Sequence, residues 1–324
     1  MQTKNVKIGY ICIAITTVLF SLMEIALKSI SGSFNPLQIT FSRFFVGGLV
    51  LLPFAVRHLK KMNLRINGRT IGMSMLIGFV GICISMLMYQ LAVIFVDASV
   101  VAIIFSSNSL FVMLFAYFML GEAIHKNNIA AIVMQLIGIG IIVVGSLSGK
   151  MSVSGIIFCL LATVTFALYG VIGKGQTKIY GGIVVTCLGF LCGSIEMMLL
   201  AVFTHIPQLA SMLTSAGLET FANIPFFSGY SLAELPVTLF VFVGVTGIGF
   251  ASYFTAMEHT SANTASLVFF FKPVLASIFA YLLIGEGSPV YKIIGILFIV
   301  VGSLINILPG ILQHRKERVS YAKV

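Results

Sequence analysis

The chain has 324 residues, of which 59% are hydrophobic and 9% charged, with a formal net charge of +10 and a mean hydropathy of +1.11. An average soluble domain carries roughly 25% charged residues, so this composition excludes a water-soluble fold of such size. Runs of about 20 apolar residues recur instead, the length that crosses a bilayer as a helix.

Hydropathy predicts ten spans, at about 8–30, 36–56, 70–94, 98–120, 128–147, 153–173, 180–204, 235–257, 262–284 and 290–311. The first follows the basic stretch MQTKNVK with no clear small-residue cleavage site, which reads as an uncleaved span. It carries Phe20 and Glu24, and the second carries Arg43. Glu24 and Arg43 lie at similar depth on consecutive helices, so a structural or gating pair between them is expected. Glu24 as a proton-coupling carboxylate is the sharper alternative. Span three holds Tyr89, and span four holds Ser107 and Asn108 in FSSNSLF. In span five, GIGIIVVG at 138–145 has no strand before it and lies within an apolar helix, so it is read as close packing and not as a dinucleotide loop.

Span six contains Phe166 and Tyr169. Span seven has the GxxxG spacing at Gly189 and Gly193 that permits close helix approach, and then Glu196, a second acid with a possible coupling or gating role. The connection at 205–234 has no Lys or Arg; its stretch PQLASMLTSAGLETF is either a short interfacial helix or a plain loop. Tyr253 follows in span eight. Span nine, FFFKPVLASIFAYLLIGE, places Lys272 and Pro273 mid-membrane. A lysine at a helix centre costs about 2.5–3.5 kcal/mol to insert, and a proline leaves a carbonyl near Phe269 without its donor. All five cysteines fall inside apolar runs, consistent with small buried side chains.

With the N-terminus placed inside, fourteen Lys and Arg fall on the inner side, three on the outer side, and Arg43 and Lys272 within spans. That positive-inside bias puts both termini in the cytoplasm and makes the excess charge a topology signal, so a nucleic-acid partner is not expected.

The chain also repeats. FAYFMLGE at 115–122 returns as FAYLLIGE at 279–286, offset by 164, and the same offset carries Tyr89 onto Tyr253 and Asn108 onto Lys272. Nearer the start, residues 9–28 resemble 155–174 at an offset of 146, matching Phe20 to Phe166 and Lys28 to Lys174. The 18-residue difference is expected in the long connection. Each copy holds five spans, an odd number, so the second must enter the membrane from the opposite face. The expected fold is an all-α polytopic membrane protein of ten transmembrane helices in two inverted repeats. Its parts are module 1–150, module 151–312 and a basic cytoplasmic tail at 313–324.

The order and duplication of NPLQITFSRFF, YQLAVIFVDASVVAIIF and the LGE and IGE motifs at Glu122 and Glu286 resemble the EamA-type members of the drug/metabolite transporter superfamily. The chain departs from that pattern in lacking tryptophan, with Phe20-Ser21 and Phe166-Ala167 at the usual Trp-Gly positions. The resemblance implies a secondary transporter for a small organic metabolite in the cell membrane, without a cofactor. Lys272 is then expected to bind the negative end of an anionic or zwitterionic solute, with Ser107 and Asn108 as hydrogen-bond partners. The alternative for Lys272 is an ion pair with Glu24 or Glu196. Tyr89, Tyr169, Tyr253, Phe20 and Phe166 are candidates for the lining of the pocket, and Glu122 and Glu286 are read as capping groups. A channel, a receptor and a membrane-embedded enzyme remain rival classes; the last is weakened by histidines that all lie at loops or helix ends. Oligomeric state is not legible.

Overall fold

The structure, a computed structural model of the full chain, describes residues 5–124, 126–147, 152–285, 287, 289–302 and 304–305. Glu286 and the basic tail at 313–324 lie outside the described residues. In chain order the helices are α1 (Val6–Ile30), α2 (Pro36–Lys61), α3 (Gly68–Phe95), α4 (Ala98–Leu120), α5 (Lys126–Leu147), α6 (Val153–Tyr180), α7 (Gly182–Phe203), α8 (Pro207–Ser215), α9 (Leu235–His259), α10 (Ala262–Ile284) and α11 (Val290–Gly302). Among the described residues there is no strand, and eight helices, α1–α4, α6, α7, α9 and α10, are long and apolar enough to cross a membrane, with shorter apolar stretches at Lys126–Ile142 and Val290–Gly302.

Helix starts follow from local chemistry. Asn35 caps α2, accepting from Leu37 N–H at 2.9 Å ahead of Pro36; Asn67 caps α3 and Ser261 caps α10. Two helices outrun their apolar stretches: α2 continues to Lys61 and α6 to Tyr180. Their last turns are polar and basic, which hydropathy reads as loop but a helix C-terminus favours. In the long connection, Pro207–Ser215 is helical and Glu219–Phe221 forms a 3₁₀ turn. This segment is tied to the start of α2 by Asn35 Nδ2 on the Thr220 carbonyl and Gln38 Nε2 on the Ser228 carbonyl, at 2.8 and 2.6 Å.

Two expected continuous spans are interrupted. In α4 the pieces Ala98–Phe105 and Asn108–Leu120 flank Ser106 and Ser107, and the released Ser106 carbonyl accepts from Gln135 Nε2 of α5 at 2.6 Å. In α10 the irregular turn is Ser266–Leu267, ahead of the Phe269 carbonyl that Pro273 leaves without a donor. α3 and α9 each contain a π-helical stretch, Phe79–Met86 and Phe240–Gly249. Such widened turns uncover backbone groups and recur at functional segments.

The halves interleave. α1 packs on α9 and α10, α6 packs on α3 and α4, and α2 and α7 pack on each other. Matching contacts recur at the sequence offsets. Lys28 Nζ donates to the carbonyls of Val93 and Val96 at 2.9 and 3.0 Å, closing the end of α3. Lys174, 146 residues on, donates to the carbonyls of Met257 and Thr260, each 164 residues on, at the end of α9. A buried lysine that satisfies helix-terminal carbonyls removes two costs at once, its own and theirs.

Gly121 and Gly285 end α4 and α10 in the left-handed region, at φ +67° and +66°, which glycine adopts without a Cβ penalty. The chain then turns so that the Glu122 carboxylate accepts from the N–H groups of Ala262 and Asn263 at 3.0 and 3.1 Å. Glu122 therefore caps α10, a helix of the other half. Glu122→Ala is expected to lower stability by about 1–2 kcal/mol, read as a lower melting temperature of the purified protein. An unchanged melting temperature would remove the cap as a contributor.

Candidate functional site

The site is built around the misfit lysine. Lys272 Nζ lies 2.5 Å from Glu24 Oε1, and both side chains are fully buried. α1 presents Glu24 and α10 presents Lys272, two helices in extensive contact, and Ser21 Oγ on α1 also donates to the Lys272 carbonyl at 3.3 Å. Tyr89 of α3 completes the polar set: Lys272 Nζ is 3.4 Å from its hydroxyl, which is within electrostatic reach of both Glu24 and Arg43.

Around the ammonium are three ring faces, Phe105 at 4.7 Å, Tyr89 at 5.3 Å and Phe20 at 6.0 Å from their centroids. Aromatic faces partly replace the water a buried cation loses. The rings continue as one cluster. Phe105 contacts Phe166 and Phe269, while Phe166 stacks on Tyr253 at 5.9 Å and approaches Tyr169 at 5.4 Å. Phe250 joins Phe20, Phe44, Phe166 and Phe190. Phe105 and Phe269 occupy positions 164 residues apart in sequence, and their centroids are 5.9 Å apart in space. Helices from both halves thus meet ring to ring beside the ion pair.

Six of the eleven candidate residues, Lys272, Glu24, Tyr89, Phe20, Phe166 and Tyr253, belong directly to this centre or its first ring contacts, and Tyr169 extends it. Of the two readings of Lys272, the structure forms the ion pair with Glu24. The expected Glu24–Arg43 pair is not formed, because the carboxylate is turned toward the ammonium on α10. Arg43 instead places Nη1 3.7 Å from Met23 Sδ and its guanidinium 4.6 Å over the Phe44 ring.

Asn108 and Ser107 do not reach Lys272's polar partners. Asn108 Nδ2 donates to the Thr163 carbonyl at 2.9 Å, and the Ser107 hydroxyl donates to the Ile104 carbonyl at 2.8 Å across the helix interruption. Asn108 Oδ1 is buried without a hydrogen-bond partner, as are Gln90 Oε1 and the Tyr253 hydroxyl. Glu196 lies elsewhere, partly exposed on α7 with Oε2 3.8 Å from Cys83 Sγ, so it takes no part in the central pair. Sequence reasoning missed Phe105, Phe250 and Phe269. In a chain with 28 phenylalanines, residue type carries no signal. The Phe105–Phe269 match at the repeat offset was the available clue.

A model of the EamA-like transporter family matches residues 7–144 and again 153–308. An uncharacterized transporter of Clostridium kluyveri is 37% identical over 307 residues, covering 93% of each chain. Protein PecM of Dickeya dadantii is 24% identical over 227 residues, 69% of each chain. A solved crystal structure superimposes with a TM-score of 0.67 at 19% identity, over 93% of this chain and 96% of that one, a likeness of fold.

Proposed function

The chain belongs to the EamA-like transporter family, and from that premise we propose that it is a secondary carrier moving a small anionic or zwitterionic organic solute by alternating access. A multi-span membrane transporter is the frame. The finer reading rests on one observation: a fully buried Glu24–Lys272 pair faced by the first-half rings Phe20, Tyr89 and Phe105, on which the second-half rings Phe166 and Phe269 pack. A buried ion pair is a poor stabilising device, since its desolvation cost rivals its attraction. The carboxylate's polar neighbours are one ammonium and one hydroxyl, those of Lys272 and Tyr89, fewer donors than its two oxygens accept. An incompletely satisfied pair of this kind suits a group that exchanges partners: an arriving solute or proton competes for Glu24 and frees Lys272, while the rings take the apolar part of the solute.

The reciprocal packing of α1 on α9 and α10 and of α6 on α3 and α4 supports two inverted five-helix modules, 1–150 and 151–312, in a ten-helix bundle. The basic ends of α2 and α6 support placing both termini in the cytoplasm. The assembly then works in the cell membrane, exchanging solute between the two faces as the halves rock about the aromatic centre.

Counterflow in proteoliposomes across amino acids, carboxylates, nucleosides and polyamines tests this. Saturable exchange of one chemical class is expected. High-conductance currents would replace the carrier with a channel, and binding without exchange would replace it with a receptor.

A further inference from the structure

We propose that Arg43, and not Lys272, is the receptor for a carboxylate on the transported solute. The inference rests on the carrier reading above and adds to it the chemical group recognised.

The argument starts from charge. Lys272 already has its counter-charge in Glu24 at 2.5 Å. Arg43 has none among the described residues: its side chain is fully buried, and no described acidic side chain lies within ion-pair distance. Its contacts are a thioether sulfur at Nη1 and the Phe44 ring face. Nε and Nη2 are buried without any hydrogen-bond partner. A guanidinium removed from water without an acceptor is among the most costly arrangements a protein core can hold, so its presence demands an anion for at least part of the working cycle.

Geometry narrows the anion. Nε–H and Nη2–H lie along one edge of the guanidinium plane, parallel and spaced to grip two oxygens of one acid group. The contact at Nη1 with Met23 occupies a different part of the group. The unpartnered edge is the fork that planar carboxylates fit bidentately. Position fits as well: Met23, which holds Nη1, adjoins Glu24, and Tyr89 is the shared electrostatic neighbour of Arg43 and Glu24. Phe44, beneath the guanidinium, contacts Phe250 of the central ring cluster. A carboxylate on Arg43 therefore leaves the rest of the solute against aromatic rings and within reach of the Glu24–Lys272 pair, where an ammonium on the same solute would compete for Glu24. The class read out is a small organic acid or amino acid with an apolar portion.

The test pairs stability with exchange, using the full chain. Arg43→Met removes an uncompensated charge while keeping a long unbranched side chain, so purified, solute-free protein is expected to melt at the wild-type temperature or above it. A melting temperature lowered by about 4 °C or more, a loss of order 1–2 kcal/mol for a chain of this size, would assign Arg43 a structural role and overturn the inference. In counterflow, the wild type is expected to exchange carboxylate-bearing compounds, with L-leucine and 3-phenylpropionate as probes, in preference to L-leucinamide and 3-phenylpropionamide. Arg43→Met is expected to lose that preference. Arg43→Lys, which keeps charge but not the fork, should raise KM about tenfold or more with a smaller change in kcat. Wild-type exchange that ignores the acid-to-amide change, or that Arg43→Met leaves intact, overturns this inference and spares the carrier. Absence of exchange of every compound by the wild type overturns the carrier reading itself, and this inference with it.

Discussion

Lys272→Met is expected to reduce solute exchange to background and to destabilise the protein by about 3–5 kcal/mol, because it leaves the fully buried Glu24 carboxylate without its counter-charge. Glu24→Gln alone should cost less, since Lys272 keeps three ring faces and the Tyr89 hydroxyl. The double variant Glu24→Gln, Lys272→Met is the informative one. Neutralising both partners removes the desolvation cost together with the attraction, so its melting temperature should return close to wild type. Exchange should not return. A purely architectural pair predicts the opposite for function: restored folding would restore transport. Melting curves and counterflow on the same four proteins separate these cases, and full exchange by the double variant would remove the pair from the mechanism.

How much of this centre was legible depends on which physical signal each residue emits. Lys272 announces itself because a charge in an apolar run is costly wherever it points, and the same holds for Glu24 and Arg43. Their pairing was legible only as competing alternatives, Glu24 with Arg43 or Lys272 with Glu24 or Glu196. Depth along a helix is readable from sequence, but azimuth and the tertiary neighbour are not; Glu24 faces α10 and not the adjacent α2. The same limit hid the partner of Asn108, whose amide serves the Thr163 carbonyl on α6. Glu122 was readable as a cap from its place after Gly121, although the helix it caps, α10, is 140 residues away. Interruption of α4 was invisible because Ser106 and Ser107 are unremarkable in a span; the break depends on Gln135 of another helix to receive the carbonyl. Lys174 is readable only as the repeat match of Lys28, yet it is buried and serves carbonyls of α9. A hydropathy scale has no term for a partner.

Gly193→Val is expected to abolish accumulation of folded protein, and Gly78→Val to do the same. In lipid, helices gain nothing from hydrophobic exclusion, so α3 and α7 associate through close backbone packing that only small residues permit. At Gly193 a Cβ would sit 2.7 Å from the Gly78 carbonyl oxygen and 2.8 Å from its Cα. At Gly78 a Cβ would meet Gly193 N at 2.5 Å and the Gly189 carbonyl oxygen at 2.8 Å. These obstacles are backbone atoms, which cannot rotate aside as a side-chain tip can, so the helices must separate along their contact. Ordinary overpacking costs about 1–3 kcal/mol, and here the strain falls on the backbones of both helices together. Gly189 provides the internal comparison. Its Cβ would meet only the Ile77 methyl at 3.1 Å, a side chain able to yield. Gly189→Ala should therefore fold with a modest loss, although it belongs to the same GxxxG spacing. Detergent-solubilised yield and size-exclusion profiles of the three variants check the order. Equal tolerance at Gly193 and Gly189 would mean that α3 and α7 do not approach as closely as the backbone distances require.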